Sequence, residues 1–91
     1  MADVHHETVW FSGHVQGVGF RYMTLETAKG YEVCGYVSNL TDGRVQAEVE
    51  GDPKEIDSFI MALQERLHGH IRKIERRAKK RVAEFSGFTI R

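Results

Sequence analysis

The sequence has one cysteine, one proline and no net charge, and each scarcity narrows what the chain can be. Cys34 has no partner for an internal disulfide, so the fold must rest on its core, which suits a reducing compartment. With lysine plus arginine and aspartate plus glutamate balanced at 13 each, the molecule has no overall field for a polyanion or an anionic membrane. Any anion site must be local. Met1 to Glu7 is polar, and no stretch approaches the roughly 18 apolar residues of a membrane helix. A soluble, cytoplasmic chain is expected. At 91 residues there is room for one domain with one modest core, here residues 1–91, and none for a separate cofactor domain.

What is present reads as alternating strands and helices. Thr8 to Ser12 is rich in β-branched and aromatic residues, with Val9 and Phe11 on one face and Trp10 and Ser12 on the other, which predicts a first strand. It runs into a loop with three glycines in seven residues, Gly13 to Gly19, and that loop opens a helix over Phe20 to Lys29, with Leu25 and Ala28 three apart and Gly30 as the cap. Val33 to Ser38 predicts a second strand, and Asn39 to Gly43 carries the Asp-Gly sign of a tight reversal. Beyond it, Val45, Ala47 and Val49 alternate with Arg44, Gln46, Glu48 and Glu50. Asp52, Pro53 and Glu55 then match an N-cap, a first-turn proline and a capping-box acid. Ile56, Phe59, Ile60, Leu63 and Leu67 keep the spacing of one helical face until Gly69. The basic run from Ile71 to Val82, with Ile74, Ala78 and Val82 in parity, predicts an exposed edge strand, and Phe88 and Ile90 close the chain. The order βαββαβ with a short final strand implies an α+β ferredoxin-like sandwich, two helices on one face of an antiparallel sheet.

A glycine-rich loop between strand and helix can turn successive N–H groups toward one point and add the positive end of the helix dipole, and phosphate is its natural guest. The nucleotide-loop alternatives fail, since no lysine plus serine or threonine follows the last glycine and no dinucleotide fingerprint is completed. A strained turn without a ligand would use the same glycines. Arg21, however, lies in the first helical turn, where the dipole disfavours a cation, and a bound anion would explain it. A surface ion pair is the plainer account.

The string Gly13, His14, Val15, Gln16, Gly17, Val18, Gly19, Phe20, Arg21 resembles the signature loop of the acylphosphatases, and Gly35 to Gly43 resembles that family's second signature around Asn39. Spacing, length, element order and the ending Phe88 to Arg91 are similar too, although His14 stands where many members carry arginine or lysine and no proline-containing turn follows the second helix. The resemblance implies a ferredoxin-like sandwich that hydrolyses acyl phosphates to carboxylate and inorganic phosphate without a metal or other cofactor. Carried over, the loop Val15, Gln16, Gly17, Val18, Gly19, Phe20 and Arg21 would bind the phosphoryl group, and Asn39 would place the attacking water. Inorganic phosphate or sulfate would be a product-like ligand, and a monomer is expected.

Other features have plainer accounts. His5, His6, His68 and His70 fit no structural-zinc spacing and are expected to be solvated, with His14 mildly aiding phosphate binding when protonated. Trp10, Tyr22, Tyr31 and Tyr36 could line an acyl pocket, but core positions are expected for them. The run Arg72, Lys73, Arg76, Arg77, Lys79, Lys80, Arg81 could contact nucleic acid, yet no RNA-recognition aromatic string accompanies it, and a lysine-rich edge that blocks aggregation explains it equally. Hydrolysis is therefore expected over two alternatives, a domain that binds acyl or carbamoyl phosphate without turnover and a nucleic-acid module.

Overall fold

Alternation decides the middle of the sheet. In a computed structural model, which describes residues 3–91, the elements run β1 (Asp3–Gly13), α1 (Phe20–Ala28), β2 (Val33–Asn39), β3 (Val45–Gly51), α2 (Pro53–Leu67), β4 (Ile71–Val82) and β5 (Phe88–Ile90). Val45, Ala47 and Val49 of β3 point to one side and are buried against Phe20 and Ala28 of α1 and Ile56, Phe59, Ile60, Leu63 and Leu67 of α2. Val9 and Phe11 of β1 and Val37 of β2 join the same core, so both helices cover one face of a ferredoxin-like sheet.

The strand order is β4-β1-β3-β2-β5. The first four strands pair antiparallel, but β5 runs parallel to β2, opposing Gly35 with Phe88 and Val37 with Ile90. The sheet is therefore mixed rather than wholly antiparallel. Residues 83–87 carry the chain from the edge at β4 to the opposite edge, and Gly35 N–H to Gly87 O (2.9 Å) and Arg91 N–H to Val37 O (2.8 Å) fix the parallel register. Gly35 is indispensable in β2, because a Cβ there would sit 1.8 Å from the Glu48 carbonyl oxygen.

Local chemistry explains the ends of the helices. Asp52 accepts from the Lys54 amide (2.9 Å) and Pro53 opens α2, as the sequence predicts, but Glu55 turns away from the cap to accept the Glu32 amide (2.9 Å). In α1 the buried residues are Phe20, Thr24, Thr27 and Ala28, with Leu25 only half-buried. The two threonines tolerate burial because each hydroxyl donates to the carbonyl four residues back, Thr24 to Phe20 (2.8 Å) and Thr27 to Met23 (2.7 Å). Gly30 donates to Thr27 O (3.1 Å) but keeps a negative φ, so it closes the helix without a left-handed cap. No helix of the described residues is long and apolar enough to cross a membrane.

β1 begins five residues before the hydrophobic run that announces it, because two neighbours pair its main chain and partners satisfy its polar side chains. Glu7 is buried on the helix side, where Arg76 binds it through Nε (2.6 Å) and Nη2 (2.8 Å) and also reaches Asp57 (2.5 Å). His6, expected to be solvated, is 2% exposed on the opposite face, donating from Nε2 to Glu48 (2.9 Å) beneath the Phe85 ring. Tyr36 donates to the other Glu48 oxygen and accepts from Gln46, whose carbonyl accepts from Trp10 Nε1 (2.9 Å). Trp10 and Tyr31 are half-buried and Tyr36 is buried, while Tyr22 is 63% exposed, against the expectation of a core position. Within the basic run, Arg76 and Arg81 hold carboxylates, and β4 lies at the sheet edge as its composition predicts.

Burial alone would raise the Glu7 pKa, but its hydrogen bonds to Arg76 and His5 and their charges outweigh that and hold it below the ordinary value of 4.5. A carboxylate with a depressed folded pKa contributes stability that is present above its unfolded pKa and lost as pH falls through the folded one. Glu7→Gln is therefore expected to lower stability at pH 7 by about 2 kcal/mol. Urea midpoints of the two proteins should converge as pH falls below 4.5; a gap that stays constant down to pH 2.5 would contradict this role for Glu7.

Candidate active site

The loop between β1 and α1 folds as it does because Gly17 (φ 77°) and Gly19 (φ 79°) take left-handed conformations between residues that do not. Added Cβ atoms at either position would meet nothing within 4 Å, so glycine is needed there for backbone conformation and not for space. Alternating backbone handedness of this kind turns consecutive N–H groups inward as a nest. His14 N–H is spent on His70 O (2.9 Å), but among the described residues no protein acceptor takes the N–H of Val15, Gln16, Gly17, Val18, Gly19 or Phe20. Six successive donors without an internal partner are unusual, since folded chains pair nearly all such groups.

Four side chains anchor the loop. Val15 and Phe20 are buried in the core, and the Phe20 ring tilts against Phe11 at 5.0 Å. Val18 packs partly against the same core. Gln16 reaches across to the β2–β3 turn, its Nε2 donating to Leu40 O (2.8 Å) and Arg44 O (3.0 Å). That turn has its own lock, in which Asp42 accepts from the Arg44 amide (3.1 Å) and Nε (2.8 Å), and Gly43 supplies a φ of 95°. Asn39, the last residue of β2, is thereby fixed relative to the loop.

The result is a cleft of about 250 Å³ lined by Val15, Gly17, Gly19, Phe20, Arg21, Tyr22, Asn39 and Ile90. The structure brings Arg21 and Asn39 to the same concavity as the loop glycines. Gln16 and Val18 do not line the cleft, their side chains being committed to the turn and to the core. His14 is exposed outside the lining and stacks on His70 at 5.9 Å. Sequence reasoning missed Ile90 as a cleft residue and placed Tyr22 in the core; the parallel register that sets Ile90 beside Val37, two residues before Asn39, leaves no local signal. Arg21 is exposed and no acid shares the first turn of α1, so the positive helix end is uncompensated there. Converging amides, a guanidinium and a side-chain amide around one hollow can bind a tetrahedral oxyanion and hold a water beside it. Among the described residues, no group of three or more histidine, cysteine, aspartate or glutamate side chains could hold a metal ion.

A ferredoxin-like sandwich with an amide-lined loop at the start of its first helix defines a class, and comparison with known proteins narrows it. A sequence model of the acylphosphatase family matches residues 7–90. An acylphosphatase of Methanospirillum hungatei is 38% identical over 82 residues, covering 88% of this chain and 89% of that protein. One from Archaeoglobus fulgidus is 46% identical over 55 residues, and the match spans 60% of this chain and 62% of the relative, less than two thirds of its length. The crystal structure of acylphosphatase from Bacillus subtilis superposes with a TM-score of 0.84 at 27% identity, covering 94% of this chain and 97% of that one. The chain belongs to the acylphosphatase family.

The Gln16 bridge is the joint between loop and turn, and it is testable without any ligand. Gln16→Leu keeps the bulk and removes both donors, so stability should fall by about 1 kcal/mol. The hydrogen-bonded amides on either side of the joint, Leu40 and Gly43 in the turn and His14 at the head of the loop, should exchange hydrogen faster by native-state exchange, with the α2 amides unaffected. Equal acceleration across the whole chain would mean that the bridge acts on global stability alone.

Proposed function

We propose that this protein hydrolyses the carboxyl-phosphate bond of acyl phosphates, giving carboxylate and inorganic phosphate. The observation that carries the proposal is the run of six unspent amides, Val15 to Phe20, in a loop whose Val15, Gly17, Gly19 and Phe20 line a cleft together with Arg21 and Asn39. The names of the family relatives support the same activity.

In this mechanism the phosphoryl oxygens take the place of internal acceptors for the loop amides. Arg21 adds two parallel hydrogen bonds through its planar guanidinium, which the point charge of a lysine cannot reproduce. The conjugate acid of the departing carboxylate has an ordinary pKa of about 4, so the group leaves without needing a proton and no general acid is required. Phosphoryl transfer passes through a loose transition state with charge spread over the equatorial oxygens, so positioning and fixed donors carry most of the rate. A loop with positive φ at Gly17 and Gly19 and no internal acceptor for its amides can supply both. Asn39 cannot act as a strong base; its carbonyl oxygen accepts from the attacking water and aims it in line with the leaving group. The water's proton passes to a phosphoryl oxygen. No step calls for a metal ion or cofactor. The domain acts as a monomer in a reducing, aqueous compartment, where Cys34 remains a thiol.

Purified protein in chelator should hydrolyse acetyl phosphate. Arg21→Ala and Arg21→Lys should each lower kcat/KM by about 10³-fold. Asn39→Ala should lower kcat by about 10²-fold with the inhibition constant of inorganic phosphate little changed. Near-normal turnover by Arg21→Lys would contradict bidentate binding. A protein that binds phosphate at the loop yet turns over no acyl phosphate would be the non-hydrolytic binding domain instead.

A further inference from the structure

Among the described residues four large apolar side chains stand exposed: Tyr22 (63%), Met61 (66%), Val82 (43%) and Ile90 (40%). Tyr22 and Ile90 come from distant parts of the chain, the first turn of α1 and the last strand, and both line the cleft that contains Arg21 and Asn39. Tyr22 follows Arg21 directly, and Ile90 is brought to the cleft by the parallel pairing of β5 with β2. Apolar surface left in water on two converging elements is unfavourable unless something covers it.

The chemistry of the substrate says what covers it. An acyl phosphate has a phosphoryl end and an acyl end joined by one oxygen. With the phosphoryl group on the loop amides and Arg21, and the water on Asn39, the acyl group must leave the cleft past the remaining lining. That lining holds no further charge. The neighbouring cations are engaged elsewhere: the Arg91 guanidinium lies 4.2 Å from the centre of the Tyr36 ring, and Arg44 is held by Asp42. A second carboxylate or an ammonium on the acyl group would find no partner there, whereas an aromatic or branched apolar group would find a tyrosine face and a branched alkyl group.

From this placement we infer that Tyr22 and Ile90 form the seat of the acyl group and select neutral, apolar acyl phosphates, an inference that rests on the hydrolase assignment above. The selectivity resides in covered apolar surface, so it is read by comparing a large apolar group with a small one on the same phosphoryl head.

The test separates binding from turnover. Dissociation constants of benzylphosphonate and methylphosphonate, measured by calorimetry, should differ by about tenfold in favour of the benzyl compound. Tyr22→Ser and Ile90→Ser should each reduce that ratio by about threefold and the double variant should bring it close to one, whereas Tyr22→Phe should keep it, because the ring face and not the hydroxyl makes the contact. Both positions are exposed, and circular dichroism on each variant confirms that the fold persists. In parallel, kcat/KM for benzoyl and acetyl phosphate, each divided by its uncatalysed rate, should show the same order. A phosphonate ratio near one in the unaltered protein, or a ratio unmoved by the serine variants, overturns the acyl seat even if acetyl phosphate is hydrolysed. An intact ratio without turnover of either acyl phosphate leaves the apolar seat standing and removes the hydrolase assignment.

Discussion

Two hydrogen bonds from one side chain hold the working parts of this molecule together. Gln16 Nε2 donates to the carbonyl oxygens of Leu40 and Arg44, and so ties the glycine loop, which belongs to the first βα unit, to the reversal between β2 and β3. Without that tie the loop and Asn39 would be joined through the sheet, along β1, β3 and β2, and through the core that Val15 and Phe20 share with Val37 of β2, with no direct bond between loop and turn. Gln16 spends its side chain on the turn while its own N–H stays free, so one residue both positions the loop and contributes to its row of donors. This division of labour explains why a side chain so close to the cleft is absent from its lining.

The row of free amides has a cost that the rest of the fold must offset. Each unpaired buried N–H costs on the order of 1 to 3 kcal/mol, and that cost is lowest for donors that solvent or a ligand can reach from an open cleft. Anchors on both sides hold the loop against collapse into a better-paired shape: Val15 and Phe20 sunk into the core, and the Gln16 bridge. Much of the core that receives Phe20 is supplied by α2, whose one-sided spacing of Ile56, Phe59, Ile60 and Leu63 is the most regular in the sequence. The helix farther along the chain thus supports a loop it does not belong to.

Legibility in the sequence followed the range of the interactions involved. The alternation of Val45, Ala47 and Val49, the Asp52-Pro53 start of α2 and the Asp42-Gly43 reversal rest on contacts within a few residues, and each lies where its pattern predicts. The loop was legible for the same reason, since its glycines declare their conformation locally. What escaped depends on partners far along the chain. Glu7 is buried because Arg76 arrives 69 residues later, and His6 because Glu48 and Phe85 close over it. A run of polar residues carries no mark that such partners will come. The parallel sense of β5 is of the same kind, fixed by Gly87 and Arg91 meeting Gly35 and Val37.

The position of β5 links fold to chemistry. A strand of three half-buried or exposed residues is held by its parallel pairing with β2, by the two flanking hydrogen bonds and by Phe88 against Phe59 of α2. Its parallel direction sends the chain terminus toward the Asn39 end of β2, so that Ile90 meets the cleft; an antiparallel pairing of the same strand would have carried the chain away from it. On the far side, the Arg91 guanidinium rests over Tyr36, which also donates to Glu48 and packs against Phe85. The outer face of the sheet, with its chain of Trp10, Gln46, Tyr36, Glu48 and His6, therefore acts on the cleft indirectly, by fixing where the last strand lies. The loop, for its part, is anchored from the opposite face, through Val15 and Phe20 in the core that both helices share.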